Sequence, residues 1–286
     1  MNERSVVIVG LPESGKSTFL GALWHLMTEG DKDTVLRLAS LGHGDRNHLN
    51  ALASRWRDAK VQDRTSTGGN RLVVMNLADR GGISLRVTFP DTAGEAYQHM
   101  WEERECDSDV ADTLKGGNVL LFIHSDTLQA PMWVVDDAAL SRRMGLPHVQ
   151  NREVAWHPRL APTQVQVVEL LQFLRAGPLD TGPRRLAIML SAWDKVAPEG
   201  LSPAAFLDVK LPLLAQYLRR NSRGWTSRIY GLSAQGGDYD PIEADAARKP
   251  QAEELRKLDR PSTRIRLLGD APETHDLTEP LAWLMV

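Results

Sequence analysis

Short runs of apolar residues alternate along the chain with segments in which apolar residues recur at helical spacing. Compact, β-branched runs are typical of buried strands, and the wider period is typical of helices. The predicted strands are residues 6–9, 71–77, 83–89, 118–124, 185–190 and 228–232. The predicted helices are residues 19–27, 165–174, 206–218 and 277–284. This alternation predicts an α/β fold with a mostly parallel sheet and helices on both faces. The turn ADRGG joins two of the runs as a hairpin, which adds one antiparallel edge strand.

Three segments interrupt this pattern, at about residues 28–64, 126–162 and 236–270. They are polar or rich in proline and glycine, and we interpret them as insertions at loop positions. The 286 residues, 42% of them hydrophobic, can form one large core. We therefore expect a single domain, residues 1–286, with three insertions.

Composition narrows the class of partner. The formal net charge of −3 does not indicate a basic surface over the whole chain, so no nucleic-acid partner is expected. No apolar run reaches the roughly 18 residues that a membrane helix needs, and the first residues lack the apolar region of a signal peptide. The single cysteine excludes an intrachain disulfide. These features predict a cytoplasmic protein without a membrane span.

The first strand leads directly into GLPESGKSTF, which has the spacing of a phosphate-binding loop. The glycines let backbone N–H groups turn toward phosphate oxygens, and Lys16 adds a positive charge. The Ser17 hydroxyl is suited to Mg²⁺, and the N-terminus of the following helix favours anions. The residues expected to line this site are Gly10, Pro12, Glu13, Ser14, Gly15, Lys16, Ser17 and Thr18.

A second motif, DTAGE, follows the second strand of the hairpin. Asp91 lies where this fold places a carboxylate near Mg²⁺, and Gly94 allows a backbone N–H to approach a γ-phosphate. Further along, Asp194 in SAWD follows a buried strand and could accept hydrogen bonds from guanine N1 and N2. Ser233 and Ala234, in SAQ after the last strand, could present a backbone amide to the guanine carbonyl, with Lys195 and Gln235 as neighbours. Each of these could instead be structural.

In their order and placement, GLPESGKS, DTAG, SAWD and SAQ resemble the small-GTPase-like P-loop proteins of the TRAFAC class. Within that class the chain is most similar to the bacterial double-GTPase group, on the aromatic Tyr97 after DTAGE and the tail HDLTEPLAWLM. The resemblance implies binding of GTP or GDP with Mg²⁺ and a role as a switch. It also implies a protein effector and a GAP-like or second GTPase partner in a conflict system.

The resemblance also places a first switch before the hairpin. A threonine there would bind Mg²⁺, and we favour Thr67 over Thr65 because it leads straight into the strand. Arg64 has the spacing of the cis arginine of heterotrimeric G-protein α subunits, although it could equally be a solvated loop residue. The implied catalytic residues are Lys16, Arg64, Thr67, Gly94 and Glu95. The implied metal ligands are Ser17, Thr67 and Asp91.

The chain departs from the family pattern at three places. Its base motif begins with Ser191-Ala192-Trp193 in place of Asn-Lys-x. Ser191 can still hydrogen-bond toward the phosphate loop, Ala192 cannot cover the base, and Trp193 either packs there or faces the core. Glu95 stands where relatives carry a water-orienting glutamine, and Pro12 stiffens the loop. Glu95 predicts either slow intrinsic hydrolysis or water positioning by a partner, and it could equally be a surface residue without a role. Ala192 predicts weaker binding of guanine, whereas the effect of Pro12 on the rate does not follow from the sequence. A scaffold without turnover and a P-loop ATPase remain alternatives.

Overall fold

The computed structural model describes residues 4–30, 32–62, 71–91, 94–106, 108–131, 143, 157–241 and 248–286. Within these ranges, eight strands form a single sheet. The strands are β1 (Arg4–Gly10), β2 (Arg37–His43), β3 (Arg71–Ala78), β4 (Ser84–Asp91), β5 (Asn118–His124), β6 (Arg184–Ser191), β7 (Trp225–Ser233) and β8 (Arg266–Leu268).

The sheet has the order β2-β3-β4-β1-β5-β6-β7-β8. Its centre, β4-β1-β5-β6-β7, is parallel throughout, so the carboxyl ends of these five strands lie at one edge of the sheet. β3 is antiparallel to β4, and β8 is antiparallel to β7. The predicted mostly parallel α/β sheet is therefore confirmed. In such a sheet, ligands bind outside the carboxyl ends of the strands.

Helices cover both faces of this sheet. They are α1 (Lys16–Glu29), α2 (Arg46–Arg57), α3 (Gly94–Glu103), α4 (Ser108–Leu114), α5 (Thr163–Phe173), α6 (Trp193–Val196), α7 (Pro203–Lys210), α8 (Pro212–Arg220), α9 (Pro250–Arg256) and α10 (Glu279–Leu284). Alternate residues of β1 point to opposite faces. Val6 and Ile8 join α1, α2 and α10 in one core, whereas Val7 and Val9 join α3, α4, α5, α7 and α8 in the other.

The helix predicted over residues 206–218 is two helices, and this part of the prediction is wrong. α7 ends at Lys210 and α8 begins at Pro212, with Leu211 between them at φ −129° and ψ 51°. Proline has no N–H to donate, and its ring disfavours the helical conformation of the residue before it. The apolar period continues across this break because both helices pack on the same face of the sheet.

The proposed insertions contribute regular structure where the structure describes them. Segment 28–64 supplies β2 and α2, and segment 236–270 supplies α9 and β8. The sequence predicted that the hairpin strand β3 lies at the edge of the sheet, but β2 pairs with its outer side and is the edge strand instead. At the opposite edge, β8 adds another antiparallel strand. β2 was not predicted from the sequence, because its residues are exposed or only half-buried and therefore do not form an apolar run.

The tail motif at residues 275–285 joins the segment before β2 to the sheet. The Asp276 carboxylate accepts hydrogen bonds from the N–H of Val35 at 2.7 Å and the N–H of Thr278 at 2.7 Å. The Thr278 hydroxyl accepts a hydrogen bond from the N–H of Leu36. At the far end, the side chain of Asn118 donates to the carbonyl of Leu284 at 2.6 Å. The residues that supported the family resemblance thus have a structural role in this tail.

Candidate nucleotide-binding site

The phosphate loop lies at the carboxyl edge of the sheet, between β1 and α1. Its first glycine is packed against the neighbouring strand: a Cβ on Gly10 would lie 2.7 Å from the carbonyl oxygen of Phe122. Gly15 has a φ of 92°, a conformation that glycine adopts without the steric cost of a side chain. Both glycines of the motif are therefore required by the local geometry. The loop ends where α1 begins, and the free N–H groups of the helix face this position.

The ammonium group of Lys16 lies inside the loop. Its Nζ donates hydrogen bonds to the carbonyl oxygens of Gly10 at 2.8 Å and Leu11 at 2.7 Å, and to the hydroxyl of Ser14 at 3.2 Å. It also lies 6.0 Å from the centre of the Tyr97 ring. Tyr97 is buried on α3, and its hydroxyl donates to the carbonyl of Ile8 at 3.0 Å. The spacing of the motif therefore places the lysine charge within the loop and beside α3.

Ser191, at the end of β6, connects the phosphate loop to the predicted base-binding segment. Its hydroxyl donates to the carbonyl oxygen of Ser14 at 2.9 Å, and both residues are buried. The carbonyl of Ser191 accepts from the hydroxyl of Ser125 at 2.6 Å. The expected hydrogen bond from Ser191 toward the phosphate loop is present. A serine in place of the usual asparagine thus still ties β6 to the loop.

The next three residues of the base motif differ in exposure. Ala192 adopts the left-handed conformation at φ 52° and directly precedes α6. Trp193 is buried and meets Phe206 edge-on at 5.4 Å between ring centres, so it faces the core rather than a base. A Cβ on Gly231 would lie 2.4 Å from the Trp193 ring, so this tryptophan requires a glycine on β7. Asp194 is half-buried at the carboxyl edge of the sheet, where it can accept hydrogen bonds from a ligand.

The segment after β7 is held by residues from two of the proposed insertions. The carbonyl oxygen of Ala234 accepts a hydrogen bond from Trp56 Nε1 on α2 at 2.7 Å. Arg264 packs its guanidinium over the Trp56 ring at 4.7 Å and donates to the Trp56 carbonyl at 2.8 Å. The Ser233 hydroxyl accepts from the N–H of Gly236 at 3.2 Å. The sequence analysis assigned neither Trp56 nor Arg264 to this site, because both contacts join residues far apart in the chain.

Charged side chains lie near Asp194, the residue predicted to bind the base. The Lys195 ammonium forms an ion pair with Asp238, which links the segments after β6 and β7. Hydrogen bonding in this pair raises the pKa of Lys195 and lowers that of Asp238. Burial lowers the pKa of His124 at the end of β5, although the carboxylates of Asp126, Glu13 and Asp194 oppose the shift. This histidine, whose Nδ1 is buried without a hydrogen-bond partner among the described residues, was not identified from the sequence.

The structure describes only some of the residues that we predict to form the two switches. Asp91 ends β4, and the register Val7↔Thr88 between β1 and β4 places its backbone beside the start of the phosphate loop. Gly94 and Glu95 begin α3, but their side-chain surroundings are not described. Arg64, Thr67 and the alternative Thr65 lie outside the described residues. Their predicted roles therefore stay predictions.

The residues available for Mg²⁺ have suitable chemistry. Ser17 is half-buried in the first turn of α1, and Asp91 ends the strand next to β1. Hydroxyl and carboxylate oxygens are the hard ligands that Mg²⁺ prefers, and this ion takes few protein ligands when phosphates supply others. Ser17 and Asp91 thus fit a Mg²⁺ ion that also binds nucleotide phosphates.

A family comparison covers nearly all of these features. Residues 7–284 match the family model described as Double-GTPase 1. The chain belongs to the Double-GTPase 1 family. The Double-GTPase 1 match includes the phosphate loop, the segments after β6 and β7 and most of the tail, and it confirms the predicted resemblance to P-loop GTPases of the double-GTPase group. It supports GTP binding and indicates a GTP-hydrolysing fold. No curated protein sequence matches the chain.

Solved structures resemble this family member at low identity. Nucleolar GTP-binding protein 1 from Plasmodium falciparum is 13% identical, with a TM-score of 0.38 over 82% of this chain and 79% of that chain. The signal recognition particle receptor SRb-GTP/SRX complex from Chaetomium thermophilum is 14% identical, with a TM-score of 0.39 over 85% and 95%. The S. cerevisiae Ski7 GTPase-like domain bound to GDP and inorganic phosphate is 12% identical, with a TM-score of 0.42 over 90% and 50%.

Among the residues that the structure describes, no helix combines the length and the apolar character that a membrane crossing requires.

Proposed function

We propose that this chain binds GTP and GDP with Mg²⁺, hydrolyses GTP slowly and uses the bound nucleotide to control contact with a protein partner. One observation carries this proposal: the hydrogen bond from Ser191 to Ser14 joins the phosphate loop to the segment that bears Asp194. Ala234 follows the adjacent strand β7 at the same edge of the sheet. Groups suited to phosphate, metal and guanine therefore share one edge.

In this proposal, different groups of the chain bind the phosphates, the metal ion and the base. Backbone N–H groups of the phosphate loop and the Lys16 ammonium bind the phosphates, and Ser17 with Asp91 and Thr67 would hold Mg²⁺. Asp194 accepts hydrogen bonds from guanine N1 and N2, which adenine cannot donate in the same way. The metal, when bound, neutralises charge that develops on the transferred phosphoryl group.

The expected slow turnover rests on two residues. Glu95 stands where a water-orienting glutamine is common, and its negative charge would repel the γ-phosphate. Arg64 would offset that charge during transfer if it acts as a cis arginine finger. Arg64→Ala should therefore lower single-turnover hydrolysis by at least tenfold without weakening GTP binding. Unchanged hydrolysis with intact binding would remove the arginine from the mechanism.

The test of nucleotide binding is a titration of the purified protein with GTP, GDP, ATP and ADP in the presence of Mg²⁺. We expect the guanine nucleotides to bind more tightly, and Lys16→Ala to abolish the binding of GTP. Lys115→Ala is a matched control, because Lys115 directly follows α4, its side chain is 40% exposed and it forms an ion pair with Asp112. Tighter ATP than GTP binding would contradict the proposal, and tight GTP binding without phosphate release would favour a scaffold.

A protein partner follows from the family and from the resemblance to conflict-system GTPases. We expect a second GTPase or a GAP-like protein, encoded next to this chain, to bind one nucleotide state more tightly. Co-purification of such a gene product with GTP-loaded and GDP-loaded protein would test this. Equal binding in both states would argue against a switch.

A further inference from the structure

Trp56 connects an inserted helix to the segment that follows β7. It lies near the end of α2 and is completely buried. Its indole N–H donates to the carbonyl oxygen of Ala234 over a distance of 2.7 Å. A buried hydrogen bond of this length, between residues 178 positions apart, restricts the backbone of the loop that follows β7.

The indole itself has little freedom to move. The guanidinium of Arg264 lies 4.7 Å from the Trp56 ring, and the same group donates to the Trp56 carbonyl at 2.8 Å. The His25 ring packs 4.9 Å from the Trp56 ring. Gly236 also lies against Arg264, because a Cβ there would approach the Arg264 carbonyl to 2.8 Å. The position of the N–H donor is therefore fixed before any ligand binds.

The hydrogen bond sets the direction of a peptide plane. In a trans peptide, the carbonyl of one residue and the N–H of the next point in opposite directions. The Ala234 carbonyl points into the core toward Trp56, so the N–H of Gln235 points away from it. Ser233, just before, is fixed by its pairing with Arg266 in β8. The N–H of Gln235 is thus oriented from the core side, and it can donate to an acceptor outside the core.

We propose that Trp56 is a positioning residue for specificity: through the Ala234 carbonyl it orients the backbone amide that recognises the oxygen at C6 of a guanine base. This inference rests on the proposed function and assigns a role in base recognition to a residue of the inserted helix α2. The indole does not touch the base. It determines the strength of one recognition contact while leaving Asp194, which faces the N1 and N2 edge, unaffected.

The test compares GDP with two analogues, each of which differs from GDP at one position of the base. GDP has the C6 oxygen, 6-thio-GDP replaces it with a weaker sulfur acceptor, and IDP keeps it but lacks the 2-amino group. Trp56→Phe removes the N–H donor. We expect this change to weaken GDP binding and to reduce the preference for GDP over 6-thio-GDP by about threefold to tenfold, the range for one hydrogen bond. The preference for GDP over IDP should not change.

Trp24→Phe is the matched control. Trp24 is equally buried, on α1, and its Nε1 donates to the side chain of Asn50 on α2 at 2.8 Å. It removes the same kind of donor from the same helix pair without touching the loop, so all three affinities should change by one common factor. If Trp56→Phe fails to fold, replacement of Trp56 by β-(3-benzothienyl)alanine keeps the two fused rings and lacks only the N–H.

The outcomes separate the two proposals. If the wild-type protein binds no guanine nucleotide, the proposed function and this inference both fail. If it binds GDP, but loss of the Trp56 donor changes all three affinities equally or not at all, Trp56 has only a structural role and the inference alone is overturned. A selective loss of the preference for the C6 oxygen supports it.

Discussion

The hydroxyl of Ser191 donates a hydrogen bond of 2.9 Å to the carbonyl oxygen of Ser14. It joins the end of β6 to the phosphate loop, so the two ends of the nucleotide site are not independent. The acceptor is itself buried, and removal of the donor would leave it without this partner. An unsatisfied buried carbonyl costs about 1 to 3 kcal/mol.

Ser191→Ala should therefore lower the free energy of unfolding by about 1 to 3 kcal/mol, as measured by urea denaturation. It should also weaken GDP binding, because Ser14 is then held less firmly. Ser227→Ala is a suitable control, since Ser227 is exposed on β7. If the two variants unfold at the same urea concentration, the hydrogen bond does not contribute to stability.

The ion pair between Lys195 and Asp238 joins the segments after β6 and β7 at the surface, where we predict that the base binds. The side chains are 39% and 43% exposed, so solvent screens their attraction and the pair should contribute about 1 kcal/mol or less. Lys195→Asp should accelerate GDP release by up to about fivefold. The double variant Lys195→Asp with Asp238→Lys should restore the rate, measured with a fluorescent GDP analogue. Equal rates in the single and double variants would show that the charges do not interact.

Stability should depend on pH through His124. Its pKa in the folded protein is lowered from the ordinary value of 6.5 because burial disfavours the charged ring. The unfolded chain then binds a proton more readily than the folded protein, so stability falls as the pH drops below 6.5. The loss ends where the folded histidine also becomes protonated.

His124→Gln should flatten this part of the stability profile, measured as thermal unfolding between about pH 5 and pH 8. The carboxylates of Asp126, Glu13 and Asp194 face this histidine and limit the size of the effect. His43→Gln provides the control, because His43 is exposed on β2. A profile that keeps its slope in His124→Gln would assign the pH dependence to other groups.

The Asp276 carboxylate holds the tail against the segment before β2. It accepts hydrogen bonds from the N–H of Val35, the N–H of Thr278 and the hydroxyl of Thr278. Asp276→Ala should lower the free energy of unfolding by about 2 to 4 kcal/mol, because several buried donors lose their acceptor at once.

Asp270→Ala tests the specificity of that effect. Asp270 is an aspartate in the same part of the chain, but its side chain is 82% exposed and lies 4.0 Å from its nearest cationic partner. We expect a change of less than about 0.5 kcal/mol. Equal destabilisation by the two substitutions, measured by urea denaturation, would refute the structural role assigned to the tail.

The sequence alone determined the central sheet and the phosphate loop. Local signals were sufficient there, because buried parallel strands read as continuous apolar runs and the loop motif has a fixed spacing. The apolar runs of β6 and β7 also predicted that Asp194 follows β6 and that Ala234 follows β7. Gly15 follows from a local backbone requirement, whereas Gly10 is also required by the close approach of Phe122 on β5.

The tertiary structure decided what depends on contacts between distant residues. β2 and β8 have weak sequence patterns because edge strands can stay exposed, and only pairing with β3 and β7 reveals them. The break at Pro212 went unrecognised because the apolar period continues across it. The contact between Trp56 and Ala234 joins a segment that we had interpreted as an insertion to the loop after β7. Hydrogen bonds of this kind have no periodic sequence signature, since any residue on a packed element can make them.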